Sequence, residues 1–197
     1  MVKKIYIYGD SNVYGYDPRD PFGGNYPDRV IWTNVLQTLL GDSCHVIADG
    51  MNGRVITQEG YSLSLLKSHL AAEAQLSMFE VMLGTNDILN IYGQNVFAIV
   101  QKMEEFCMNI ENALLTQNRS EGLQTIISIV GPPPITIPDF PAESINMLWA
   151  GYREIADKHR WRYIDPSSWN LSMAYDGIHL SEGGHHTFAE KMAECIL

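Results

Sequence analysis

Cysteine is scarce in this chain: Cys44, Cys107 and Cys195 are the three it has. An odd, sparse set with no Cys-x-x-Cys pair argues against a disulfide framework, a zinc ribbon or a thioredoxin-like redox motif. The thiols read instead as buried, inert packing groups. Positive charge is also short, with 13 Lys and Arg against 23 Asp and Glu and a formal net charge of −10. Such a surface repels phosphate backbones, which argues against a nucleic-acid partner. Long apolar runs are missing, whereas a membrane span needs roughly 20 consecutive apolar residues. Lys3-Lys4 invites a signal-peptide reading, but the apolar run that follows, Ile5 to Tyr8, is ended by Gly9-Asp10. A leader needs an apolar stretch of about 7–15 residues. The segment is therefore expected to be a first strand, and the protein cytoplasmic.

Several chemical signatures are missing too. There is no Gly-x-x-x-x-Gly-Lys-Ser/Thr loop for phosphate, no Gly-x-Gly-x-x-Gly fingerprint and no His-Glu-x-x-His metal pair. The adjacent His185 and His186 point in different directions on a helix and make poor co-ligands, so neither a metal nor an organic cofactor is expected. The Gly-x-Ser-x-Gly elbow of ordinary α/β-hydrolases does not occur either.

What is present is an alternation of short apolar runs with helical patterns. Strands are expected at Ile5–Tyr8, Cys44–Ala48, Phe79–Leu83, Thr125–Val130 and Arg162–Ile164. Trp32, Val35, Leu36, Leu39 and Leu40 recur at helical spacing, and Gly41 stops that helix. Leu63, Leu66, Leu70 and Ala71 suggest a second helix ending near Ala74. Phe97, Val100, Met103, Phe106, Cys107, Ile110 and Leu114 step by threes and fours along one helical face. Further helices are expected over about Ala142–Lys158 and from near Ser181. Alternation of this kind implies a parallel sheet covered on both faces with right-handed crossovers. With no repeat, linker or low-complexity tract, residues 1–197 read as one domain.

In open α/β sheets ligands bind beyond the carboxyl ends of the strands, so those ends are where chemistry is sought. They carry Gly9-Asp10-Ser11-Asn12, Asp49-Gly50-Met51-Asn52-Gly53-Arg54, Gly84-Thr85-Asn86-Asp87 and Gly131-Pro132-Pro133-Pro134, and Asp176-Gly177-Ile178-His179 precedes the last helix. Ester hydrolysis needs a nucleophile, a base to take its proton, a group to orient the base, and donors facing the developing oxyanion. Ser11, in a tight turn opening the first crossover, suits the nucleophile. Of six histidines, only His179 lies in a loop at the expected rim with an acid, Asp176, three residues before it. Asn86 offers neutral side-chain N–H groups, and Gly53 a backbone N–H that no side chain obstructs. The Ser11 N–H would be the third donor. Each motif alone is weak: Gly-Asp-Ser is more often an ordinary turn, and an Asp–His pair a surface feature.

Taken in order, these residues resemble the four blocks of the SGNH hydrolases, the GDSL-like lipases and esterases. Gly9-Asp10-Ser11 is similar to the first block, Gly53 to the second, Gly84-Thr85-Asn86-Asp87 to the third, and Asp176-Gly177-Ile178-His179 to the Asp-x-x-His block. The long loop after Ser11, Arg29-Val30-Ile31-Trp32-Thr33, Asn52-Gly53-Arg54 and the proline run resemble the bacterial arylesterase-like branch. The resemblance implies a flavodoxin-like three-layer α/β/α sandwich with a five-stranded parallel sheet. It implies a Ser11–His179–Asp176 triad, an oxyanion hole of Ser11, Gly53 and Asn86, and a homo-oligomer, since some members of that branch form multimers. One departure is Asn12, where many members carry Leu or Ile, which bears on pocket shape.

The expected partner is a small ester, of short acyl length or aryl type. Tyr14, Tyr16, Phe22 and Tyr26 form one candidate pocket wall and residues 132–140 a second. Asp10, Asn12, Tyr16 and Pro133 are the expected substrate contacts. Thioesterase, lysophospholipase or acyltransferase activity with the same triad, and a non-catalytic binding module, are the alternatives.

Overall fold

A computed structural model describes residues 2–57, 59–73, 76–89, 95–118 and 124–197. The chain runs β1 (Lys3–Gly9), α1 (Ser11–Tyr14), α2 (Trp32–Leu40), β2 (Cys44–Gly50), α3 (Gly60–Ala72), β3 (Leu76–Met82), α4 (Thr85–Leu89), α5 (Val96–Asn118), β4 (Ile126–Val130), α6 (Ala142–His159), β5 (Arg162–Ile164) and α7 (Glu182–Ile196). The five strands form one parallel sheet in the order β2-β1-β3-β4-β5. This is the expected α/β sandwich.

The period-2 alternation of the central strands assigns each face its own core. Tyr6, Tyr8, Phe79, Val81, Ile127 and Ile129 pack with leucines of α3 and with the buried faces of α5 and α6. Ile5, Ile7, Met78, Met82 and Val130 pack on the other face with Trp32 and Leu36 of α2 and Phe188 and Met192 of α7. The β-branched composition of β1 and β4 thus reflects burial on both sides.

The connection leaving β1 goes to the α2/α7 face, and the one leaving β3 goes to the α3/α5/α6 face. The two chains diverge, which opens a crevice at the carboxyl ends of β1 and β3. That is the switch point at which this strand order binds ligands.

Several sequence expectations are corrected. Phe97 is exposed, as is Leu39, so α5 buries Ile99 and Val100 in place of Phe97, and α2 buries Leu36 and Leu40 without Leu39. Cys195 is half-buried, unlike Cys44 and Cys107. The Ser11 segment, read as a tight turn, is the short helix α1, and α4 is a short helix with no counterpart among the expected elements. The end expected near Ala74 lies outside the described residues, and α3 is described to Ala72. Among the described residues, no helix is long and apolar enough to cross a membrane.

Candidate active site

The crevice is built from the loops after β1, β2 and β3 and the segment before α7. Gly9 ends β1, and a Cβ there would stand 2.2 Å from Val13 Cγ2 and 2.9 Å from the Met82 carbonyl, so only glycine lets the chain turn this tightly. Asp10 then caps α1, its carboxylate accepting from the Asn12 N–H at 2.9 Å. The cap places Ser11 as the first helical residue, largely buried at 6% exposure.

His179 Nε2 lies 2.9 Å from Ser11 Oγ, and His179 Nδ1 lies 2.6 Å from Asp176 Oδ2. Asp176 Oδ1 also accepts the N–H groups of Ile178 at 3.0 Å and His179 at 3.1 Å. Burial alone would raise this carboxyl, but the His179 ring and the two amides outweigh it and hold Asp176 below the usual carboxylate range. An ionised Asp176 can only accept, so Nδ1 carries the imidazole proton and Nε2 is left to accept from the serine hydroxyl.

Asn12 fastens the histidine segment to the serine turn: its Nδ2 donates to the Ile178 carbonyl at 3.3 Å and its Oδ1 accepts from Leu180 N–H at 2.9 Å. The Trp32 indole N–H closes on the Asn12 carbonyl at 2.9 Å. The Tyr16 ring lies against the His179 imidazole, with centroids 4.6 Å apart.

The loop after β2 and the helix after β3 meet opposite. Gly53 has φ +72, in the left-handed region that favours glycine, and it is exposed. Asn86 Nδ2 donates to the Arg54 carbonyl at 3.0 Å, and Asp87 Oδ2 accepts the Ile56 N–H at 3.1 Å. The third-block residues therefore grip the loop that carries Gly53.

The remaining expected contacts lie deeper or farther out. Asp10 and Asn12, on either side of Ser11, are each 1% exposed. Burial pushes Asp10 up to about 6, against the Asn12 N–H and the His179 charge. Pro133 is buried, and its segment is held by Trp149 Nε1 donating to the Pro132 carbonyl at 3.0 Å. Of the aromatic wall, Phe22 is 95% exposed and Tyr26 is buried, which leaves Tyr16 as the ring on the histidine.

The histidines rejected on sequence have other places. His185 accepts the Trp32 N–H at 3.3 Å, and burial pushes it down to about 4, so it is neutral packing. Among the described residues no three His, Cys, Asp or Glu side chains gather as metal ligands. Sequence reading gave Asp87 and the Arg54 side chain no separate role. The signal for both was their position beside Asn86 and Gly53.

The profile of the GDSL-like lipase/acylhydrolase family matches residues 7–187. No curated protein sequence matches the chain. Among solved structures, an Agrobacterium tumefaciens protein assigned as an arylesterase superposes with a TM-score of 0.84 at 24% identity, covering 99% of this chain and 98% of that one. The aryl esterase of M. smegmatis gives 0.82 at 24%, with 99% and 98% covered. A carbohydrate acetylesterase family member from Sinorhizobium meliloti gives 0.78 at 26%, with 99% and 97% covered.

Proposed function

Since the chain belongs to the GDSL-like lipase/acylhydrolase family and is a carboxylic ester hydrolase, we propose that it is a serine esterase acting on short-chain acyl esters through Ser11, His179 and Asp176. The observation that carries this reading is the unbroken relay from Ser11 Oγ to His179 at 2.9 Å and from His179 to Asp176 at 2.6 Å.

In this reading Ser11 Oγ attacks the ester carbonyl carbon while His179 Nε2 takes its proton. Asp176 holds the imidazole in the Nδ1–H form and offsets the charge of the imidazolium. The carbonyl oxygen, now an oxyanion, is received by the N–H groups of Ser11 and Gly53 and by Asn86, whose amide has a second N–H beyond the one given to Arg54. His179 returns its proton to the departing alkoxide, which leaves as the alcohol. Water, deprotonated by the same imidazole, then attacks the acyl-enzyme; the bond to Ser11 Oγ breaks, His179 returns the proton to Oγ, and the acid departs.

Tyr16 on the imidazole narrows the approach to His179, which supports a small acyl group. The arylesterase and carbohydrate acetylesterase assignments of the structural relatives point the same way. Asp10, Asn12 and Pro133 set the position of the serine turn and pocket floor. Three free thiols fit the reducing cytoplasm.

The test is hydrolysis of p-nitrophenyl esters from acetyl to dodecanoyl by the wild type and Ser11→Ala. Serine-dependent release that falls steeply with chain length is the expected result. Wild-type rates in folded Ser11→Ala would overturn the triad, and equal rates at all lengths would overturn the short-acyl reading.

A further inference from the structure

The three oxyanion donors come from three different loops, after β1, β2 and β3, so something must hold those loops in register. Donors to an oxyanion act only when preorganised to within a few tenths of an ångström. Arg54 is the residue that touches all three loops. Its Nη1 donates to the Gly9 carbonyl at 2.8 Å, two residues before Ser11. Nη1 also donates to the Asp49 backbone carbonyl, and Nη2 donates to Asp49 Oδ1 at 2.6 Å. The guanidinium lies over the Tyr8 ring, 4.0 Å from its centroid. Its side chain is one-tenth exposed. From its own backbone, Arg54 accepts the Asn86 Nδ2 hydrogen bond at 3.0 Å and follows Gly53 directly.

We propose that Arg54 is the positioning residue of the oxyanion hole: its guanidinium clamps the Gly53 loop onto the ends of β1 and β2, and its carbonyl aims the Asn86 amide. The inference rests on the triad reading above and extends it to a residue that does not touch the substrate. Arginine is required because one planar group must serve two carbonyls and a carboxylate while stacking on a ring. A lysine ammonium has neither the fork nor the flat face. Without the Arg54 guanidinium, the loop would keep the Met51 N–H bond to the Gly9 carbonyl and the contacts of Asn86 and Asp87, but would lose its side-chain ties to the ends of β1 and β2.

Arg54 also lines a cavity of about 360 Å³ with Tyr8, Asp49, Met51, Tyr61 and His69, so truncating it leaves space that a small cation can enter from solvent. This makes the clamp testable by replacement. Arg54→Ala and Arg54→Lys are assayed on p-nitrophenyl acetate, with kcat taken per folded molecule from circular dichroism. Both should lose about 10- to 100-fold in kcat, somewhat less than outright removal of a donor, with KM changed less than about threefold. Guanidinium chloride at sub-denaturing concentration should restore part of the kcat of Arg54→Ala and none of that of Ser11→Ala. In an Asn86→Ala background the Arg54→Ala effect should shrink, because the two act on one oxyanion.

A kcat per folded molecule equal to wild type in both variants overturns the proposal, as does an Arg54 effect of undiminished size in the Asn86→Ala background. If Arg54→Ala does not fold, Arg54→Lys carries the kcat comparison and the Asn86 cycle. Activity surviving in Ser11→Ala would instead overturn the triad itself, so the two failures are told apart.

Discussion

At the scale of single residues, Asp176 shows how environment assigns a role. Two amides and an imidazole keep it ionised below the usual carboxylate range despite its partial burial. Asp176 is therefore a carboxylate, an acceptor for the imidazole N–H, throughout the neutral range. Asp176→Asn keeps the shape but replaces an acceptor by an amide that can donate, which favours the wrong imidazole tautomer. Its kcat on p-nitrophenyl acetate should fall by about 10³- to 10⁴-fold with far-ultraviolet circular dichroism unchanged.

Elements position these residues, and their ends matter most. The turn from β1 into α1 works only because Gly9 lets Val13 and the Met82 carbonyl approach. Gly9→Ala should destabilise the protein by at least about 2 kcal/mol through overpacking, read as a lower urea midpoint at unchanged slope. Helix α7 begins just after His179, and Ser181 caps it by accepting from Gly184 N–H at 3.1 Å while its hydroxyl donates to the Ser172 carbonyl at 3.0 Å. Ser181→Ala should cost about 1 kcal/mol, measured by the same titration. A change within error would show that the cap contributes nothing here. Helix α4 illustrates the opposite case, a five-residue helix with too few residues for any periodicity to reveal.

At the scale of the molecule, the core contains a group that works against it. Glu80 sits on the α2/α7 face of β3, fully buried, beside Ser128 in register, and neither carboxylate oxygen has a hydrogen-bond partner. Burial pushes it up to about 7, against the pull of Arg162. A carboxyl raised in the folded state binds its proton more tightly there than in the unfolded chain. The stability it contributes is therefore complete below the unfolded value near 4.5 and is lost as pH rises toward 7. Glu80→Gln keeps the shape without the charge, so it should flatten that slope and raise stability at pH 8 by roughly 1–3 kcal/mol. Urea unfolding at pH 5 and pH 8 checks this, and parallel pH dependence in both proteins would refute it.

How much was legible beforehand follows from the physics of each feature. The five strands and the long helices could be read because burial on a sheet or a helix face imposes a period on consecutive residues, as in Phe79–Val81 and Met103–Ile110. Ser11, Gly53, Asn86, Asp176 and His179 could be singled out because each sits at the end of such an element, in a short run whose residue types suit the chemistry. What the chain order could not reveal were the relations between distant segments. The tertiary structure alone decided that Tyr16, rather than Tyr26 or Phe22, lies on the histidine, because loop packing follows no period. It alone buried Asp10 and Asn12 against the serine turn. It alone joined Arg54 to Gly9, Asp49 and Asn86, because a clamp across three loops exists only once the sheet has brought their strands together.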